Sequence, residues 1–254
     1  MKNSERSFGK IFFITGVSVL SLILSYNCSA QEKTYFDSPF GLGGGFIASW
    51  TFPNIQPVND QLKAFGTPEL AKSGYFSSGG AGFVYIGFVP GLRIGGIGFS
   101  GSTKESKLSD GFRREAKLTS SFGGVSLEYT LPFIRSVGVS VGVILGGGNT
   151  TLEFYRYKDS YSWDHLWNEI TNDSTSSINF GRKLSNDYFV VAPTLNLDIP
   201  IYRLAAFRLG ATYAVHVGDN WKLDNEQEVF NVPTGTAKSQ LYLNAGIFVG
   251  FFSY

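Results

Sequence analysis

Apolar residues alternate with small or polar residues along several stretches of this chain. The clearest stretch is SQLYLNAGIFVGFF at 239–252, and the same period of two recurs in SVGVSVGVILGGG at 136–148 and FRLGATYAVHV at 207–217. Such alternation predicts β-strands that bury or present one apolar face. The runs are longer than the five or six residues of most soluble strands and match the roughly 9–11 tilted residues that cross a bilayer.

Eight such segments are predicted along the chain. They are 40–52, 74–89, 92–104, 114–131, 136–155, 186–199, 204–218 and 237–252. Short connections alternate with longer polar ones, which are 53–73, 105–113, 156–185 and 219–236. This arrangement predicts an all-β fold, an eight-stranded antiparallel up-and-down transmembrane barrel with short periplasmic turns and longer external loops. A soluble β-domain is the alternative, but its surface normally carries more Lys and Glu than these small-residue faces do.

The three short connections share one skeleton, in which an apolar residue and a proline are followed by any residue, an apolar residue and an arginine. The prolines and arginines are Pro90 and Arg93, Pro132 and Arg135, and Pro200 and Arg203. Proline lacks a backbone donor, so it suits the point where strand pairing stops. We expect these residues in periplasmic turns, with each arginine reaching toward the headgroups.

Residues 1–30 have the pattern of an export signal. A short basic segment precedes the apolar run IFFITGVSVLSLIL, and small residues lie before Gln31. We expect cleavage after Ala30, which leaves 31–254 as the barrel. Lipidation of Cys28 after a different cleavage is the alternative.

Cleavage after Ala30 removes the only cysteine and leaves 18 basic and 19 acidic residues, a net charge near −1. The mature chain then has neither disulfides nor thiol chemistry. A nearly neutral chain gives no electrostatic support for a nucleic-acid partner. No cofactor is expected, because the glycine-rich GLGGGF at 41–46 lies inside a strand and no helix follows it.

One connection has helical character. In 53–73, Pro57 can begin a helix, Leu62 and Phe65 can form one face, and Gly66 can end it. The pattern predicts a short helix in the first external loop.

The longest connection, 156–185, is rich in aromatic residues. Tyr161, Trp163 and Trp167 lie there among mixed charges. They fit an interfacial girdle and loop packing, or a surface that binds a partner.

Strand parity places three charged residues inside the barrel. Asp198 and Arg208 are each five residues from Arg203, so a turn centred there sets them directly opposite each other. Glu128 has inward parity on the fourth strand and can reach the same level. We expect an ion pair between Asp198 and Arg208 in the lumen, with Glu128 beside it.

A leader, eight alternating segments, short turns and the aromatic last strand AGIFVGFFSY together resemble the small bacterial outer-membrane barrels of the OmpA, OmpX and OmpW type. The resemblance implies the outer membrane, with both termini in the periplasm. It also implies a contact of the last strand, which ends in Phe252 and Tyr254, with the barrel-assembly machinery, and contact of the barrel with outer-membrane lipid.

We expect a non-enzymatic protein that contributes to envelope structure or to surface contacts through its loops. A narrow channel for small apolar molecules is the alternative. Some outer-membrane barrels are lipid-modifying enzymes, which makes His216 the one candidate centre for catalysis. We expect no catalytic or metal-binding residue, because the sequence contains neither an HxxxH pattern nor a nucleophile elbow.

Overall fold

The computed structural model describes residues 41–132, 137–158, 162–171, 179–202, 204–233 and 235–251. Eight strands pair in chain order and the first pairs with the last, so the sheet closes. Every neighbouring pair is antiparallel. The prediction of an all-β, eight-stranded up-and-down barrel is confirmed. The expected leader, 1–30, lies outside the described residues, and the division at Ala30 stays a prediction.

The strands and helices have the following bounds. The strands are β1 Leu42–Pro53, β2 Tyr75–Tyr85, β3 Leu92–Ser109, β4 Phe112–Thr130, β5 Gly138–Tyr157, β6 Phe180–Tyr202, β7 Ala205–Leu223 and β8 Ser239–Phe251. The helices are α1 Gln56–Phe65 and α2 Trp163–Thr171. The helix predicted between the first two strands is therefore confirmed as α1, whereas α2 was not predicted.

The barrel has two different ends. At the turn end, β2 connects to β3, β4 to β5, and β6 to β7. At the loop end lie α1, α2, the β3–β4 connection and the segments 224–233 and 235–238. Within the described residues, no helix is both long and apolar enough to cross a membrane.

The prediction of a long connection over 105–113 is wrong. β3 and β4 stay paired up to Ser109 and Phe112, and only Asp110 and Gly111 form the turn. Both turn residues have positive φ, 55° and 75°, as a tight hairpin turn requires. Charged residues occupy both faces of this part of the hairpin, so the hydropathic alternation ends although the backbone pairing continues.

The same effect lengthens other strands at the loop end. β6 begins at Phe180 rather than at 186, and β7 continues to Leu223 rather than ending at 218. β3 to β7 therefore rise beyond β1, β2 and β8 as a wall of five strands.

The outer face of the barrel carries an exposed apolar band. Its members are Leu42, Phe46, Trp50, Phe76, Val84, Ile94, Val125, Leu127, Tyr129, Val141, Leu145, Phe189, Leu195, Tyr213, Val215, Val217, Leu243, Ile247, Val249 and Phe251. Inside the barrel, serines, threonines, asparagines and charged residues are buried together with aromatic and aliphatic side chains. A soluble barrel does not expose so many large apolar side chains on its outer face, so this band indicates a non-aqueous environment.

Candidate functional site

Four charged side chains form a layer across the lumen near the turn end. They are Arg93 on β3, Glu128 on β4, Asp198 on β6 and Arg208 on β7, and all four are buried. We call them the charge layer. Two cations face two carboxylates, so the layer has no net charge.

Arg93 lies at the centre of this layer. Its guanidinium donates to Glu128 Oε2 at 2.8 Å from Nε and to Asp198 Oδ2 at 2.7 Å from Nη1. It also donates to the hydroxyl of Ser140 on β5. One side chain therefore connects four strands across the barrel.

Arg208 completes the layer from the other side. It lies directly opposite Asp198 in the β6–β7 ladder and donates to it from both Nε and Nη2. Its Nη1 is 3.7 Å from Glu128 Oε1. The structure thus brings together the three residues that strand parity placed in the lumen, in one layer with Arg93.

The expected position of Arg93 in a headgroup-facing turn is wrong. β3 begins at Leu92, and Arg93 shares the inward parity of Phe99, so its side chain points into the lumen. The register also sets Arg93 directly opposite Glu128. Its parity relative to Phe99 was the signal in the sequence that could have revealed this.

The prolines of the short connections do not occupy equivalent positions. Pro90 is exposed in the β2–β3 turn, where the next residue, Gly91, has a φ of 78°. Pro132 is exposed just after β4. Pro200 lies in β6 rather than in a turn, opposite Ala206 and beside an irregularity in the ladder, because the pairing continues to Tyr202. Arg135 and Arg203 lie outside the described residues.

Aromatic rings enclose the charge layer. The Arg93 guanidinium carbon is 4.7 Å from the centre of the Phe83 ring, and that of Arg208 is 4.4 Å from the Phe248 ring. Such contacts favour cations that have lost their water. A cavity of about 10 Å³ remains beside Glu128 and Arg208, which is space for about one water molecule.

A hydroxyl network fills the middle of the lumen. Ser120 bonds to Gln240 and lies 3.3 Å from the Tyr188 hydroxyl, which is 3.0 Å from Thr150. The Tyr242 hydroxyl donates to Gln240. The rings of Phe99, Phe122 and Tyr242 pack together below it, with centroids 5.1–5.5 Å apart. These side chains occupy the barrel where a channel would have to pass.

His216 lies beside this network. Its ring stacks on Tyr188 with centroids 3.9 Å apart, and Nδ1 contacts the carbonyl oxygen of Ala237. The ring is buried. Within the described part of the chain, no group of three or more His, Cys, Asp or Glu side chains is placed to bind a metal ion.

α1 closes the loop end of the lumen. Val58 and Leu62 are buried in an apolar cluster with wall residues that include Leu118 on β4, Leu152 on β5 and Trp221 on β7. We call this helix and the segment up to Leu70 the plug.

One side chain holds the plug together. Asn59 is fully buried, donates to the carbonyl of Leu70 at 3.0 Å and accepts from its amide at 2.9 Å. On the solvent side, Glu69 lies between Lys72 at 2.8 Å and Lys63 at 3.1 Å. Hydrogen bonds from Lys72 and Lys63 lower the pKa of Glu69.

The aromatic residues predicted for the longest connection lie on α2. Trp163 and Trp167 are both exposed, and their rings meet edge to face with centroids 5.6 Å apart. Ile170 is exposed on the same helical face. Tyr161, and likewise Phe252 and Tyr254 of the last strand, lie outside the described residues.

No protein-family model matches the chain, and no curated protein matches it. Solved structures are similar over most of their length. Neisserial surface protein A is 13% identical, over 84% of this chain and 98% of that one, with a TM-score of 0.43. A major outer membrane protein of Thermus thermophilus is 9% identical, over 83% and 99%, with a TM-score of 0.43. OprG of Pseudomonas aeruginosa is 14% identical, over 87% and 100%, with a TM-score of 0.42.

Proposed function

We propose that this chain is a bacterial outer-membrane β-barrel with a closed lumen that acts through its loop-end surface. The observation that carries this proposal is the pairing of an outward apolar band with an interior filled by side chains at three levels. In this function it is neither an enzyme nor an open channel.

The closed ladder and the outward band support a membrane location. A barrel without free edges leaves no unpaired strand backbone in hydrocarbon, where each unsatisfied group costs several kcal/mol. On the same grounds we propose that the band contacts outer-membrane lipid. We further propose that the loop end faces outward, that both termini lie in the periplasm, and that the barrel-assembly machinery recognises the last strand with Phe252 and Tyr254.

The filled lumen favours a surface role over transport. A solute would have to pass the plug, then the hydroxyl network, then the charge layer. The packing of His216 against Tyr188 and Ala237 likewise favours a structural role for this side chain over a catalytic one. The exposed loop end is then the part of the barrel that contributes to envelope structure or contacts partners.

Cysteine labelling on whole cells tests this topology. Ser106→Cys lies at an exposed position near the β3–β4 turn, and Phe88→Cys lies at the turn end, where Phe88 is 86% exposed. An impermeant maleimide should label the first variant on intact cells and the second only after lysis. The parent chain serves as the control for Cys28. If the maleimide labels only the Phe88→Cys variant on intact cells, the proposed orientation of the barrel is wrong.

Gel mobility tests the closed barrel. The purified protein should migrate differently before and after boiling in detergent, because a sheet without edges resists unzipping. Identical migration together with solubility in plain buffer would contradict a membrane barrel.

A further inference from the structure

Cations line one row on the inner face of the five-strand wall, above the plug. Lys107 on β3 lies directly opposite Arg114 on β4, and Arg114 lies directly opposite Arg156 on β5. Arg182 on β6 lies opposite Phe154, two residues before Arg156. We call these four residues the rim row.

Strand parity gives the direction of this row. Arg114 has the parity of Ala116 and Leu118, which are fully buried against the plug, so the rim row faces the mouth of the barrel. Arg113, one residue earlier, is exposed on the outer face. The four cations therefore converge on one space above α1.

Like charges in this arrangement repel one another. Directly opposed residues of an antiparallel pair have Cβ atoms about 4.5–5.5 Å apart, and like charges there are destabilising. Arg114 and Asp110 form only a weak ion pair, because their charged atoms are 3.8 Å apart and the Asp110 side chain is 82% exposed. Glu105, two residues from Lys107, shares the inward parity of the row, so one carboxylate accompanies the four cations. Arg114 itself is 19% exposed. An anion in the mouth would offset this repulsion.

Aromatic rings orient two of the arginines. The guanidinium carbon of Arg156 is 5.8 Å from the centre of the Phe112 ring, and that of Arg182 is 5.0 Å from the Phe180 ring. Phe180 in turn packs against Phe65 of the plug, with centroids 6.4 Å apart. Arginines held in place present paired N–H groups that match the oxygens of sulfate and phosphate.

The row lies beyond a layer of phospholipid headgroups. Arg156 is nine residues beyond Gly147, which pairs with the outward-facing Phe189 at the edge of the apolar band. Nine residues of a strand tilted by about 40° rise roughly 23 Å along the barrel axis, well beyond a headgroup layer of about 5–8 Å. The side chains also point into the mouth and away from surrounding lipid.

We propose that the rim row is a binding site for a soluble oligosaccharide that carries several sulfate or phosphate groups. Neighbouring strands are about 4.8 Å apart, so Lys107, Arg114 and Arg156 place cations along a line of about 10 Å. A sugar chain charged on successive rings matches such a line. This site gives a ligand class to the proposed surface role and rests on it.

Binding to the purified barrel in detergent micelles tests the site. The probe is a heparin hexasaccharide, and the variant is Arg114→Gln with Arg156→Gln. Affinity should fall about tenfold or more, since two charge-assisted contacts are lost. The control is Arg113→Gln with Lys183→Gln, the same change of charge on outward-facing positions of the same wall, which should change affinity less than about twofold.

Further probes separate the possible anions. Binding should weaken as sodium chloride increases, and a desulfated hexasaccharide should not bind. Equal loss in the inward and outward variants, or no binding by the parent, would overturn the site. Equal affinity for a hexaglutamate peptide, or stronger binding to phosphatidylglycerol vesicles, would overturn the ligand class.

Two further measurements keep the test clear. The single variant Lys107→Gln changes an exposed side chain, so a loss of affinity there does not reflect unfolding. The boiling shift of every variant reports its folding. Because binding is measured on purified protein, failure here leaves the proposed location untouched, whereas reversed labelling on cells would reject the location without affecting the binding result.

Discussion

The charge layer and the rim row use the same geometry with opposite charge patterns. In the charge layer, Arg93 opposes Glu128 and Asp198 opposes Arg208 across neighbouring strands. In the rim row, Lys107 opposes Arg114, which opposes Arg156. In the first set, the cations and carboxylates pair with one another and fill the lumen. The second set, facing water above the plug, places like charges opposite one another around a space that an external anion can enter.

The largest effect is expected from Arg93→Met. The change leaves Glu128 and Asp198 buried with Arg208 alone, and breaking a buried ionic network costs about 3–5 kcal/mol. Urea unfolding in detergent or phospholipid measures it. The matched control, Arg113→Met on the exposed outer face of β4, should change the free energy of unfolding by less than about 0.5 kcal/mol. Equal effects of the two changes would show that the charge layer does not stabilise the barrel.

A double-mutant cycle measures the coupling between Asp198 and Arg208 in the charge layer. Asp198→Asn leaves two arginines with only Glu128, whereas Asp198→Asn with Arg208→Gln restores one cation and one carboxylate. We expect a coupling free energy of about 1–3 kcal/mol, with the double variant more stable than the single effects added together. Additive effects would mean that the two side chains do not interact.

The next largest effect is expected from a change in the plug. Asn59→Ala leaves the buried amide and carbonyl of Leu70 without their partner, at a cost of about 1–3 kcal/mol. The loss should appear as faster hydrogen exchange in 56–70 without loss of the barrel, because segments can open locally. Asp60→Ala, at an exposed neighbouring position, is the control. Unchanged exchange in the Asn59 variant would indicate that this side chain does not hold the plug.

The smallest effect distinguishes the two charge patterns by its sign. Lys107→Gln removes a repulsion with Arg114 and should raise the free energy of unfolding by about 0.2–0.5 kcal/mol. Lys104 lies on the outer face of the same strand, and its Nζ is 2.8 Å from Glu115 Oε1. Lys104→Gln removes this ion pair and should lower the free energy of unfolding by about 0.2–1 kcal/mol. Both differences should shrink at high salt. The same sign for both variants would contradict this account of the rim row.

Sequence patterns predicted the barrel well where one face meets an apolar environment. β8 and the turn-end half of β5 alternate cleanly, and so their strands were found. The loop-end halves of β3 and β4 carry charges on both faces, so the hydropathic period fails there and predicts a long loop in place of the tight turn at Asp110 and Gly111.

The site was predicted only where parity was used. Parity places Asp198, Arg208 and Glu128 inside the lumen. For Arg93, the similarity of its segment to two other proline-containing connections predicts a turn, whereas its parity predicts the lumen. Closure by the plug depends on contacts between α1 and strands distant in the sequence. No local pattern reveals such contacts, although the helix itself was recognised.

Planar-bilayer conductance tests the closed lumen most directly. The purified parent barrel should give no stepwise conductance in about 1 M potassium chloride, where salt screens weak surface charges but not the packed interior. A variant in which residues 56–66 are replaced by a Gly-Ser linker should stay closed as well, because the hydroxyl network and the charge layer remain below. Stable unitary steps from the parent protein would contradict the closed lumen, and with it the account of this chain as a surface protein.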